Sequence, residues 1–145
     1  MTNPDQAVKY FSDGYSCSQS ILSTFAPEFG LEKETALKIS STFGGGIART
    51  GETCGVITGA IMVLGLKYGK SSPMDEVTKT ELYSRVHEFI DEFTERNKTT
   101  KCKELTGYDF NIPEQFKKAS QEKIVSKICP QIVRDAMEIL EKLLD

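Results

Sequence analysis

A chain of 145 residues is long enough for one domain. At that size about 70% of the surface exposed by the unfolded chain is buried, so disulfides are not needed to fold it. Hydrophobic content of 39% and charged content of 27% are those of an ordinary soluble domain. A net charge of -3 and a pI near 5.3 exclude a general nucleic-acid binder, which needs a basic face.

The first residues, Met-Thr-Asn-Pro-Asp-Gln, contain neither a basic patch nor an apolar run of the secretory kind. The most apolar stretch, Val56 to Leu66, is too short for a bilayer span of about 20 residues. The expectation is a cytoplasmic chain with no membrane partner. In that compartment cysteines serve more often as metal ligands, redox groups or core residues than as structural disulfides.

In chain order the reading is almost wholly helical. Asn3-Pro4-Asp5 supplies a cap, a first-turn proline and an acid matched to the helix dipole, starting a helix that ends near Phe11. Ser16 or Ser18 can cap a second helix carrying Ile21, Leu22 and Phe25, which stops near Pro27. A third runs from about Glu32 to Thr42. Gly44-Gly45-Gly46 then breaks any regular helix, and a loop continues to about Gly51.

Glu52 to Lys67 reads as a fourth helix, apolar nearly all round and so the central buried one. Gly55 and Gly59 lie one turn apart on a face of it. Small residues there admit either another backbone, as tight helix packing, or a cofactor. Ser72-Pro73 starts a long fifth helix to about Asn97, with Leu82, Val86, Phe89, Ile90 and Phe93 as its stripe. Thr99 or Thr100 precedes a short helix ended by Gly107. A turn or two near Glu114 to Ala119 follows, and Cys129-Pro130 opens a last helix to Leu144. The expected fold is all-α: a single-domain bundle of six to seven helices around the glycine-containing fourth.

On these boundaries Cys17, Cys54, Cys102 and Cys129 each fall at or near a helix start. The positive end of a helix favours a thiolate over a thiol. Pro130 at a first helical position puts Cys129 at the N-cap, and Lys101 and Lys103 further favour a Cys102 thiolate. Packed cysteines behave as small hydrophobes and have no reason to prefer helix starts. No Cys-x-x-Cys pair occurs, which excludes a thioredoxin motif, a zinc ribbon and covalent c-type haem attachment. Four separate thiolates can still hold zinc or an iron–sulfur cluster, or pair as disulfides in any of three ways.

Two other features carry less. Gly46 to Thr53 nearly matches a phosphate-binding loop, but Glu52 replaces the essential lysine and no strand precedes it. His87, the one histidine, lies beside the apolar stripe of the fifth helix and reads as a surface residue.

The run from Cys17 through Gly44-Gly45-Gly46 to Gly51-Glu52-Thr53-Cys54-Gly55-Val56-Ile57-Thr58-Gly59-Ala60 resembles the "putative redox-active" proteins named for a C-GCAxxG-C-C pattern. Cys102 in Cys-Lys-Glu-Leu-Thr-Gly-Tyr and Cys129 before Pro130 also fit. Val56 departs from the pattern, standing where the family has alanine. The resemblance implies a helical domain whose four cysteines are redox-active. The family is similar to a domain of the dimeric split-Soret cytochromes, which makes a homodimer an expectation; their haem motif is missing here. The resulting expectation is a thiol redox or electron-transfer protein, as an enzyme a thiol–disulfide oxidoreductase, with an unidentified redox partner. The alternative is a module that binds a metal or iron–sulfur cluster through the same four residues.

Overall fold

The computed structural model describes residues 1–145. Eight α-helices follow one another: α1 Asn3–Ser12, α2 Cys17–Phe25, α3 Lys33–Ser40, α4 Gly55–Tyr68, α5 Glu76–Asn97, α6 Cys102–Thr106, α7 Pro113–Gln121 and α8 Ile124–Leu143. The all-α expectation holds. The helix beyond the expected six or seven is α7, which grows from the turn foreseen near Glu114.

Local chemistry sets most of the boundaries. Thr2, rather than Asn3, caps α1 in a reciprocal pair with Asp5. Ser16 caps α2 the same way, its hydroxyl taking the Gln19 amide while the Gln19 side chain takes the Ser16 amide. The start of α5 is fixed by Asp75, which accepts the Thr78 amide, and not by Ser72-Pro73. Lys98 and Gly107 end α5 and α6 in the left-handed conformation.

The last helix begins earlier than its proline suggested. Lys123 turns the chain in the left-handed region, α8 starts at Ile124, and Pro130 lies inside it. Pro130 has no N–H to return to the Ser126 carbonyl. Burial of Ile132, Val133, Ala136, Met137, Ile139 and Leu140 along the same helix outweighs that loss.

The fourth helix is the hub, with α2, α5 and α8 packed around it. Ile21, Leu22 and Phe25 of α2 meet Val56, Ile57, Val63 and Leu64 of α4, the stacked Phe89 and Phe93 of α5, and the apolar face of α8. At the far end of α8 the Leu143 carbonyl accepts from the Tyr68 hydroxyl at 3.2 Å and from Arg85 at 3.3 Å, and the Leu144 carbonyl from Lys67. Cations at that end match the helix dipole.

Helices α2 and α4 approach each other closely. A Cβ added to Gly59 would lie 2.9 Å from the Ser18 carbonyl oxygen and 3.0 Å from Ile21 Cβ; one on Gly55 would lie 3.0 Å from the Ser18 nitrogen. The Gly55–Gly59 face is thus a helix-packing seam filled by α2, and it leaves no groove for a cofactor. Gly65, on the same helix, has open space around it. Gly59→Ala should therefore lower stability by about 1–2 kcal/mol, since overpacking exceeds the gain in helix propensity. Gly65→Ala should raise it by roughly 0.5–1 kcal/mol. Urea unfolding of the two variants checks the opposite signs.

Candidate functional site

All four cysteines collect at one end of the bundle, and all four are free thiols. Each arrives by a different route. Cys17 is the first residue of α2, held by the Ser16 cap. Cys54 stands one residue before α4, at its N-cap, rather than inside its first turn. Because α2 lies so close to α4 at Gly55, the two sulfurs face each other: a Cβ on Gly55 would lie 3.1 Å from Cys17 Cβ.

Cys102 is brought in by backbone pairing that no local pattern announces. Thr53 and Lys101 form an antiparallel bridge. Around it the Cys54 amide donates to the Thr100 carbonyl at 2.8 Å, and the Cys102 amide to the Glu52 carbonyl at 2.7 Å. The triple glycine makes this fit possible. Gly45 and Gly46 are left-handed, and a Cβ on Gly46 would lie 2.6 Å from Cys102 Cβ. Ile47, Ala48 and Arg49 continue in the same left-handed conformation, each at a cost of about 1–2 kcal/mol. Arg49 stacks on the Phe116 ring at 4.5 Å, so this loop does not form a phosphate cradle.

Cys129 lies in the second turn of α8 and not at its N-cap. The helix-start argument fails for it, because α8 extends back past the proline. Its sulfur reaches the cluster from the side of the helix.

The electrostatics divide the four. The Cys17 thiol lies within hydrogen-bonding reach of Cys129 and Cys54; those two contacts, then burial, hold its proton on and push its pKa well up. Cys54 moves the other way. The hydrogen bond from Cys17 favours its thiolate against the cost of burial, and the Val56 and Gly55 amides at the start of α4 help. The two pKa values thus move in opposite directions, with ionisation favoured at Cys54 over Cys17.

Cys102 does not become the lysine-activated thiolate expected from its neighbours. Burial, then the Cys54, Cys129 and Asp109 charges, push it up to about 12. Lys103 is turned to Glu52 at 3.6 Å, and Lys101 is exposed on the far side of the bridge. A five-residue α6 adds little dipole.

Cys17, Cys102 and Cys129 border a cleft of about 400 Å³ between α1, α2 and α8, with Cys54 behind Cys17. His87 is exposed on α5 and takes no part in it. Nowhere do three Cys, His, Asp or Glu side chains converge closely enough to hold a metal ion. Cys17 has both Cys54 and Cys129 as neighbours. No helix is long and apolar enough to cross a membrane.

The family model described as "Putative redox-active protein (C_GCAxxG_C_C)" matches residues 15–143, from just before Cys17 to the end of α8. No curated protein and no solved structure matches the chain.

The raised Cys102 pKa has a pH signature. Unfolded, this thiol ionises near 9.0; folded, it keeps its proton to about 12. Its contribution to stability is then complete below pH 9 and is lost as the pH rises toward 12. Cys102→Ala should flatten the alkaline fall in stability across that window, measured by denaturant unfolding at a series of pH values. An equally steep fall in the variant would show that Cys102 is not the group responsible.

Proposed function

This chain belongs to the C_GCAxxG_C_C redox-active family, and we propose that it works as a dithiol–disulfide redox protein with Cys17 and Cys54 as its reacting pair. The observations that carry the reading are that Cys17 and Cys54 lie side by side where α2 meets α4, and that their contact favours the thiolate on Cys54 while Cys17 is held protonated. A nucleophilic thiolate beside a protonated thiol is the resting state that thiol exchange needs.

The roles follow from position. Cys17 borders the cleft and meets the electron acceptor. Cys17 bonds to the acceptor as its proton passes by way of the Cys54 thiolate to the acceptor. The Cys54 sulfur then attacks Cys17 Sγ, and the bond from Cys17 to the acceptor breaks with its electron pair left on the acceptor. One S–S bond forms and two electrons leave on the acceptor, with the Cys17 proton and a second from solvent. The reverse sequence reduces the disulfide.

Cys129 is the other neighbour of Cys17 and can attack the same sulfur. Cys54 is then the leaving group, and a stabilised thiolate leaves readily. The bias of Cys54 toward thiolate, and the lack of three converging metal-binding side chains, favour this exchange over metal binding. Cys102, with its proton held to about 12, is a spectator near neutral pH.

Three variants test these roles by mass spectrometry of anaerobic protein before and after a mild oxidant. Cys17→Ser should abolish reversible intramolecular disulfide formation, because both exchanges use that sulfur. Cys54→Ser should slow it by roughly tenfold or more at neutral pH. Cys102→Ser should leave the rate within about twofold. Loss of oxidation in Cys102→Ser with full oxidation in Cys17→Ser would reject the assignment.

A further inference from the structure

The cleft in front of Cys17 is lined by thirteen residues, and none is Asp, Glu, Lys, Arg or His. With 27% of the chain charged, thirteen residues drawn at random would include about three or four. Phe11, Tyr15 and Phe110 supply rings, and Val125 and Pro130 aliphatic surface. The volume of about 400 Å³ lies within the range of small-molecule sites, roughly 300–1,000 Å³.

We propose that this cleft receives an uncharged quinone as the oxidant of the Cys17–Cys54 pair, an inference that rests on the dithiol reading above. A charged disulfide, such as that of glutathione, would bring carboxylates and ammonium groups to a site with no charged side chain to pair them. An apolar disulfide would enter easily but leave behind thiols that ionise near pH 8.5. A quinone is neutral on entry, and its hydroquinone, a phenol of pKa about 10, is neutral on exit. Flat rings also match the aromatic lining, and the Tyr15 and Ser12 hydroxyls offer hydrogen bonds to the quinone oxygens.

The step balances. The Cys17 sulfur bonds to the quinone ring; the Cys54 sulfur then attacks Cys17 Sγ, the Cys17–Cys54 S–S bond forms, and the sulfur–ring bond breaks with its electron pair left on the ring. The Cys17 proton and one from solvent go to the two oxygens, giving the hydroquinone. The dithiol is oxidised by two electrons and the quinone reduced by two.

The test uses the full chain, reduced and anaerobic, mixed with duroquinone, whose fully substituted ring leaves no stable thiol adduct. Oxidation should saturate with quinone concentration, and glutathione disulfide at equal concentration should react far more slowly without saturating. Tyr15→Ala and Phe110→Ala should each raise the half-saturating concentration by about fivefold, leaving the limiting rate within about twofold. A rate linear in quinone and unchanged in both variants, or equal rates with the charged disulfide, would overturn the quinone assignment while the dithiol reading stands. Failure of both oxidants to produce a Cys17–Cys54 disulfide would take down the dithiol reading, and the quinone with it.

Discussion

The architecture depends on how closely α2 and α4 approach. Helices bearing full side chains at the crossing would keep their axes about 8–10 Å apart. Gly55 and Gly59 remove the two side chains that would stand against the Ser18 backbone. That contact carries the core seam of Ile21 and Leu22 against Val56 and Ile57. It also sets the first residue of α2, Cys17, beside the residue that caps α4, Cys54. Stability and chemistry therefore use one seam, and a methyl group there disturbs both.

Bringing two thiols together in a buried place has an electrostatic consequence. Burial alone would raise both pKa values. Here the contact with Cys17 lowers the Cys54 pKa instead, and the Val56 and Gly55 amides add to that. The second sulfur keeps its proton and faces the cleft. The left-handed loop from Gly45 to Arg49 completes the arrangement by letting Cys102 close in at Gly46. Strain of that kind persists only where surrounding contacts over-determine it, and it gathers at functional sites.

Much of this was legible in the chain. The nearly all-round apolar character of α4 marked it as the central helix, the serines at 16 and 18 marked the start of α2, and the triple glycine marked a break in regular structure. The four cysteines stood out because of their placement. What could not be read was non-local. The pairing of residues 51–54 with 100–103 leaves no local pattern, yet it places Cys102. Pro130 suggested a helix start, but the buried face of α8 carried the helix back to Ile124. Lys101 and Lys103 promised an activated Cys102 only because sequence proximity says nothing about direction. In the fold they turn outward while the thiol is buried. Gly55 and Gly59 admitted either a ligand or a backbone, and only the packing of α2 decided between them.

The central claim is that Cys17 and Cys54 form the working pair. Peptide mapping of the singly oxidised protein, alkylated in denaturant after mild oxidation, reads that pairing directly. The account predicts a Cys17–Cys54 link as the main disulfide, with Cys17–Cys129 as the minor one. A dominant link involving Cys102, or oxidation that leaves Cys17 free, would contradict it.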